Sequence, residues 1–207
     1  VYKRQVIKDI SGNGNDGTMN GKAKLQKDAE QDSNVLYLDG SDDTFAALPE
    51  GFFDGRNTFS LSMDVKAEDV SGNYFTFAIG QDSNRYYFLK PTADSVKSVI
   101  TSSSWGGEKG FTEKLNTQVK DQWLHLTLIM DGTDMKLYLD DQLIGHNENV
   151  VNEMSNLGKN LKAYLGKSFY GEDKCFKGAF DNIKVYNRVL TNAELAGGVL
   201  GAVSYTH

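Results

Sequence analysis

Oxygen-bearing residues are concentrated in one loop near the start of the sequence, DISGNGNDGT, which runs from Asp9 to Thr18. Glycine, asparagine and aspartate dominate this loop, so its backbone carbonyls and carboxylates can turn toward a hard cation. A strand near the other end carries one acidic residue, Asp181, which could supply a further carboxylate. The residues therefore indicate a candidate calcium site, and Asx-turns made by Asp9 and Asn13 are the alternative explanation.

Catalytic chemistry has no comparable signal. A glycosidase needs two carboxylates separated by roughly 5 to 9.5 Å across a sugar. Glu148 and Glu153 lie in an irregular segment at an unsuitable spacing, and the adjacent Glu172 and Asp173 would point apart on a strand. His125 follows Trp123 in an alternating strand and is interpreted as a packed or hydrogen-bonded residue. We predict no catalytic residue in this chain.

Aromatic side chains give the best indication of a binding surface. Trp105 lies between SSS and GGE, in a polar segment predicted to be an exposed loop, where an indole can stack on a sugar ring or a partner surface. Tyr74, Arg85, Tyr87 and Tyr138 are predicted on the polar faces of their strands, where they would form a groove with Trp105 if those faces are concave. The alternative is that Trp105 folds back and caps the edge of the fold.

Composition excludes several classes of partner. The chain has 207 residues and a formal net charge of −6, so nucleic acid and anionic membranes are unfavourable partners. Lysine and arginine form no run of five or more, and no apolar stretch is long enough to span a membrane. The single cysteine, Cys175, allows no internal disulfide.

The elements that must position these residues are strands. Turn signals recur about every 8 to 15 residues, which is typical of an all-β sandwich. Thr58–Lys66 and Trp123–Met130 alternate cleanly between apolar and polar residues. Further strands are predicted at Val35–Leu38, Tyr74–Ile79, Arg85–Lys90, Val96–Ser102, Met135–Leu139, Leu143–Ile144, Ala163–Gly166 and Ala179–Tyr186. In Tyr74–Ile79, alternation puts Phe75, Phe77 and Ile79 on one face, which is predicted to be the core face.

One short C-terminal helix, Asn192–Ala196, is predicted after Thr191, because Glu194 three residues later completes a capping box. Residues 147–162 are predicted to form a long irregular loop with one helical turn. We predict a single domain over residues 6–199, with non-native flanks at residues 1–5 and 204–207.

Five segments of the sequence together form a recognisable series. They are D-x-SGNGNDGT at Asp9, the stretch Leu38–Ala67, the strand YFTFAIG, the segment Trp123–Gly145 with its W-x-H-x-T pattern, and the stretch Leu165–Leu195. In these motifs and their order, the sequence resembles the laminin-G-like, concanavalin A-like jelly-roll domains of secreted bacterial polysaccharide-degrading enzymes. The resemblance implies a two-sheet antiparallel jelly roll whose termini lie close together. It also implies, as in many members, a structural calcium ion (Ca2+), with Asp9, Asn13 and Asp181 as the matching positions.

The same resemblance implies a non-catalytic carbohydrate-binding or accessory module of a secreted or cell-surface bacterial glycoside hydrolase. Its partners would be a polysaccharide or oligosaccharide and a neighbouring catalytic domain in the same parent chain, with no nucleic acid and no membrane insertion. The alternative is a structural, protein-interaction or adhesion module with no glycan ligand, which would expose a large apolar patch on one sheet.

Overall fold

The computed structural model describes residues 5–197 and 203–205, and these residues form two antiparallel sheets and one short α-helix. The strands are β1 (Gln5–Ile7), β2 (Gly17–Asn20), β3 (Lys24–Asp28), β4 (Ser33–Asp39), β5 (Phe45–Ala47), β6 (Thr58–Ala67), β7 (Phe77–Asp82), β8 (Arg85–Pro91), β9 (Ser95–Thr101), β10 (Lys109–Lys114), β11 (Trp123–Asp131), β12 (Asp134–Leu139), β13 (Gln142–Asn147), β14 (Lys162–Leu165), β15 (Lys177–Tyr186) and β16 (Val203–Tyr205). The helix α1 spans Asn192–Gly197, and short 3-10 turns occur at Trp105–Gly107 and Met154–Leu157.

Sheet A has the strand order β1-β2-β5-β14-β7-β8-β9-β10, and sheet B has the order β13-β12-β11-β6-β15-β4-β3. Strand β16 adds to sheet B by pairing with β15. All of these strand pairs are antiparallel. The predicted two-sheet β-sandwich with one short C-terminal helix is confirmed.

The core lies between the sheets and follows the predicted alternation. On β6 the apolar positions Phe59, Leu61, Met63 and Val65 are all buried, and so are the leucines and Met130 that alternate along β11. These strands pair directly, with Leu61 opposite Leu128. Truncating one such leucine to alanine is expected to cost about 2 to 5 kcal/mol, because it leaves a cavity in a closely packed interior.

The two sheets also meet at one side of the sandwich, where the edge strands β10 and β13 pack together. Phe111 of β10 lies over Gly145 of β13, and a Cβ at residue 145 would overlap the Phe111 ring. Gly145 is therefore required by close approach of a neighbouring ring and not by its own backbone angles.

Three assignments of strand faces were wrong, and one of them is Tyr74, which was predicted on a polar face but is buried in the core cluster. Phe75 was predicted on the core face with Phe77 and Ile79, but it precedes β7 and packs in a separate cluster outside the sandwich. Tyr87 was predicted on a polar face, but it points into the core. Strand β8 presents aromatic residues on both faces, so alternation of polarity alone could not decide its orientation.

The C-terminal capping box is confirmed. The Glu194 amide donates to Thr191 Oγ1 over 3.3 Å, and the Thr191 amide donates back to Glu194 Oε2 over 2.9 Å. The helical turn predicted within residues 147–162 is the 3-10 turn at Met154–Leu157.

The domain limits at residues 6 and 199 stay predictions. Gln5, assigned to the first flank, begins β1, and residues 204–205 of the second flank lie in β16. Residues 1–4 and 206–207 of the two flanks, and the limit at residue 199 itself, lie outside the described residues.

Candidate functional site

An aromatic cluster lies on the outer face of sheet A, separate from the core between the sheets. Phe75, Tyr86 and Phe88 are buried there with Ala78 and Val99, and Phe169 and Tyr170 pack against them from a loop. Phe75 and Phe88 stack with ring centroids 3.9 Å apart and planes only 8° from parallel. An outer sheet face covered with aromatic rings is unusual for a surface that meets only water, and it forms the floor of a cavity.

That cavity, the Trp105 pocket, has a volume of about 300 Å³. Phe75, Tyr86 and Phe88 form its floor, Trp105 stands at its wall, and lysine, carboxylate and amide groups line the remainder. The volume lies at the lower end of the range for small-molecule sites in proteins.

Trp105 is held outward by the loop before it. Its residue surface is 74% exposed, so the predicted exposed loop is confirmed and Trp105 does not cap the sandwich edge. Ser104 has φ 66° and ψ −176°, a conformation that costs a non-glycine residue of order 1 to 3 kcal/mol. The loop offsets this strain with two contacts, because the Ser104 amide donates to the Asn84 carbonyl over 2.8 Å and the Ser104 carbonyl accepts from Thr101 Oγ1 over 2.8 Å.

Polar groups at the floor and wall of the Trp105 pocket are fixed in a network centred on Glu108. Tyr86 donates its hydroxyl to Glu108 Oε1 over 2.7 Å, and Lys97 Nζ donates to Glu108 Oε2 over 2.6 Å. Burial, with hydrogen bonds to Tyr170 and Glu108, raises the pKa of Tyr86, so this phenol stays neutral and keeps its proton.

Lys90 lies at the other side of the pocket. Its Nζ donates to the Gly72 carbonyl over 2.8 Å and stands 4.6 Å from the centre of the Tyr74 ring. Burial lowers the pKa of Lys90, while the charge of Asp173 opposes the shift.

The lining holds two lysines, Lys90 and Lys97, and three carboxylates, so it is not a site for phosphate.

The five predicted ligand-binding residues lie in four different places. Trp105 and Tyr74 line the pocket, although Tyr74 is only 1% exposed and donates its hydroxyl to the Pro91 carbonyl. Arg85 lies at the turn before the pocket and pairs with Asp82 over 3.1 Å.

Tyr87 and Tyr138 cannot belong to this groove. Tyr87 is fully buried between the sheets with its hydroxyl 3.0 Å from Ser98 Oγ, and burial raises its pKa. Tyr138 is on sheet B, where it packs against Ile129 and Tyr186. The prediction failed because it placed Tyr87 on the outer face of β8, whereas Tyr86 and Phe88 occupy that face.

Sequence reasoning missed ten of the twelve lining residues of the pocket, which are Asn73, Phe75, Tyr86, Phe88, Lys90, Lys97, Glu108, Tyr170, Glu172 and Asp173. The only sequence signal for them was the density of aromatic residues in RYYFLK and SFYGED. Their convergence depends on strand order, because β8 and β9 pair with each other while the loop with Tyr170 returns from more than 60 residues further along the chain.

A second polar cluster lies on the outer face of sheet B. His125 Nδ1 is 2.5 Å from Asp64 Oδ1, and its Nε2 is 3.2 Å from Ser62 Oγ. This order of acid, imidazole and hydroxyl is the order that activates a serine nucleophile. However, Ser62 is only 6% exposed, and β6 is paired on both sides, so its amides serve the sheet and not a developing oxyanion. We interpret the cluster as a cross-strand hydrogen-bond network, as predicted for His125.

The predicted metal residues lie in two different sheets. Asp9 and Asn13 belong to the β1–β2 loop of sheet A, and Asp181 belongs to β15 of sheet B. Asp9 accepts the amides of Ser11 and Asn15 over 2.8 and 2.9 Å, so the alternative Asx-turn is present at Asp9. The Asn13 side chain instead donates to Ser11 Oγ over 2.9 Å. Burial would raise the pKa of Asp9, but the hydrogen bonds that Asp9 accepts outweigh it and lower the pKa.

Asp181 is buried and accepts a hydrogen bond from Ser33 Oγ and another from the Asn182 amide over 2.9 Å. Within residues 5–197 and 203–205, no group of three or more histidine, cysteine, aspartate or glutamate side chains is placed to hold a metal ion. The side chains alone therefore do not form the predicted centre, and calcium stays a prediction that would depend on backbone oxygens.

Comparison with known proteins gives a family and a fold. A sequence profile of the concanavalin A-like lectin/glucanases superfamily matches residues 39–196. An α-L-arabinofuranosidase of Bifidobacterium longum subsp. longum is 30% identical over 184 residues, which cover 82% of this chain. The chain spans only 17% of that curated relative.

Two solved structures have related folds. Domain 4 of AbnA, a GH43 extracellular arabinanase from Geobacillus stearothermophilus determined in complex with arabinotriose, superposes with a TM-score of 0.74 at 22% identity, covering 92% of this chain and 91% of that one. The CBM40 of the Ruminococcus gnavus IT-sialidase, bound to α2,3-sialyllactose, gives a TM-score of 0.58 at 16% identity, covering 73% of this chain and 94% of that one. At these identities the superpositions establish the fold alone.

Proposed function

The chain belongs to the concanavalin A-like lectin/glucanases superfamily, and from this membership we propose that it is a non-catalytic carbohydrate-binding accessory module of a secreted or cell-surface bacterial glycoside hydrolase. The observation that carries the proposal is the Trp105 pocket, with its aromatic floor and exposed indole wall.

The pocket has the two kinds of surface that a sugar requires. A sugar ring presents apolar C–H faces, which stack on the indole of Trp105, and a rim of hydroxyls that need hydrogen-bond partners. Asn73, Glu172 and Asp173 line the pocket with amide and carboxylate groups suited to those hydroxyls. Binding of a polymer here would keep an attached catalytic domain close to its substrate and raise its effective concentration.

Neutral arabinose-containing polymers are the ligand class that the relatives favour. One relative is an α-L-arabinofuranosidase, and the AbnA domain was solved with arabinotriose. The balance of two lysines against three carboxylates in the pocket also favours an uncharged sugar over a uronate. The chain covers only 17% of its curated relative. We therefore also propose, for the parent protein, a neighbouring catalytic domain, secretion and a bacterial origin.

The alternative is a protein-interaction or adhesion module without a glycan ligand. It predicts a large apolar patch on one sheet. The exposed large hydrophobic side chains among the described residues belong to strands of both sheets and to loops, and they are Val6, Ile10, Leu25, Trp105, Leu143, Val151 and Val189. Because these residues are distributed over both sheets and the loops, they do not favour the interaction module over the carbohydrate-binding module. The described part of the chain contains no helix long and apolar enough to cross a membrane.

The proposal is tested by affinity electrophoresis of the isolated chain through gels containing linear arabinan, arabinoxylan, xylan or pectin. We expect retardation on linear arabinan that free arabinotriose abolishes. A chain that migrates equally in every gel would reject the carbohydrate-binding proposal and leave the interaction module as the function to pursue.

Calcium is a separate part of the proposal, resting on the family resemblance and the oxygen-rich loop. If the ion binds, Asp9 and the backbone carbonyls near Asn13 would hold it in the β1–β2 loop. Its contribution there would be to stabilise the loop.

A further inference from the structure

A second cavity lies beside the first, between the β4–β5 loop and the β14–β15 loop. It has a volume of about 370 Å³, and Asp42, Lys167, Phe169 and Cys175 are among its lining residues. We propose that this cavity, the Cys175 pocket, and the Trp105 pocket are subsites of one extended site that binds the interior of a polysaccharide chain. The inference rests on the proposed function and specifies how the ligand is recognised.

The two pockets share a wall. Tyr170 and Asp173 line both cavities, and they belong to one loop between β14 and β15. The loop is fixed from both sides, because the Tyr170 hydroxyl donates to the Ser83 carbonyl over 3.0 Å and Ser168 Oγ donates to Asp173 Oδ2 over 2.6 Å. Ligands in the two pockets would therefore contact the same two groups, the Tyr170 phenol and the Asp173 carboxylate.

Each pocket offers aromatic surface, and the rings of the two pockets are in contact. Tyr86 lines the Trp105 pocket, Phe169 lines the Cys175 pocket, and their ring centroids are 6.5 Å apart. Successive sugar rings of one chain can therefore each meet an apolar surface.

The two subsites set the minimum length of the ligand. A disaccharide can occupy one pocket, whereas a longer chain can reach both, because Tyr170 and Asp173 line the two cavities together.

Polar groups in the Cys175 pocket suit a neutral sugar as well. Asp42 and Asp43 are exposed acceptors, and Lys167 Nζ lies 4.3 Å from the centre of the Phe45 ring and 3.3 Å from Asp43 Oδ1. Because Tyr170 and Asp173 line both cavities, one chain bound across this wall contacts both pockets. We therefore expect affinity to depend on chain length and not on a free chain end.

Calorimetric titration with linear arabino-oligosaccharides, from the disaccharide to the hexasaccharide, tests the inference. We expect the tetrasaccharide to bind about tenfold more tightly than the disaccharide, the gain of one additional hydrogen-bonded subsite, and the hexasaccharide to add little. Asp42→Ala should lower the affinity for the tetrasaccharide several-fold and leave the affinity for the disaccharide unchanged. The matched control is Asp141→Ala, which removes the same charge from the β12–β13 turn of sheet B.

Cys175 provides an independent readout, because it is the only cysteine in the chain and lines the second pocket. The tetrasaccharide should slow alkylation of Cys175 by iodoacetamide, measured by mass spectrometry, and a saturating concentration of the disaccharide should slow it much less. Equal affinity for all lengths, or a length dependence without protection of Cys175, would overturn the extended site while the proposed function stands. Absence of binding by every oligosaccharide would reject both.

Discussion

Replacement of Trp105 by alanine is the most direct test of the pocket, because this indole contributes surface to a ligand and little to the fold. Full burial of a tryptophan removes about 200 Å² from water. Trp105 is 74% exposed, and a sugar ring covers one face only, so binding removes roughly 75 Å² of the indole surface. At about 25 cal/mol per Å² this area is worth about 1.9 kcal/mol, or about 25-fold in Kd.

The assay is calorimetric titration of the parent and of Trp105→Ala with arabinotriose, alongside thermal unfolding of both. We expect the affinity to fall about 25-fold and the free energy of unfolding to change by less than about 0.5 kcal/mol. Trp105→Phe should lose only a fraction of the affinity, since a smaller ring still stacks. Leu143→Ala is the control, because it shortens an exposed apolar residue, 49% exposed, on sheet B.

Two results would refute the reasoning. Unchanged affinity of Trp105→Ala would mean that the ligand does not touch the indole. A loss of more than about 1 kcal/mol in stability would mean that the side chain packs against the fold in solution, which is the capping role that its exposure argues against.

Three further predictions concern stability. If calcium binds, a concentration 100 times its Kd adds about 2.7 kcal/mol and raises the melting temperature by roughly 5 to 10 °C. A chelator that leaves the melting temperature unchanged contradicts this prediction, as would a calcium-dependent shift that survives Asp9→Ala. The Arg188 guanidinium and the Thr191 amide lower the pKa of Glu194 from 4.5 to about 2, so the stability from this carboxylate is present above pH 4.5 and lost as pH falls toward 2. The melting difference between the parent and Glu194→Gln should therefore shrink over that interval, and a difference constant with pH would exclude the linkage. Gly145→Ala should destabilise the protein by about 1 to 3 kcal/mol in urea unfolding, because the new methyl meets the Phe111 ring, and a neutral result would mean that β10 and β13 separate freely.

The architecture could be predicted from the sequence wherever a strand has one apolar face and one polar face. Strand β6 is such a case, since its serines and Asp64 alternate with Phe59, Leu61 and Met63, and only one orientation buries the apolar set. The capping box at Thr191 was equally local, because its two hydrogen bonds join residues three positions apart.

The residues of the Trp105 pocket could be predicted only in part, because the pocket depends on strands whose two faces are both buried. Strand β8 places Tyr87 and Leu89 in the core and Tyr86 and Phe88 beneath the pocket, so polarity gives no orientation. Trp105 was recognisable because an indole among serines and glycines has nothing local to pack against. Glu108 was not recognisable, since its role follows from Tyr86 and Lys97 on the two neighbouring strands.

The aromatic floor lies outside the sandwiched core, with the sheet backbone between the two apolar layers. Replacements in the outer layer therefore leave the packing between the sheets intact, and the segments at Ser102–Gly107 and Ser168–Asp173 can be exchanged without rebuilding the scaffold. Such a separation lets the surface residues diverge during evolution at little risk to folding, and it makes this face a practical starting point for designing new binding surfaces.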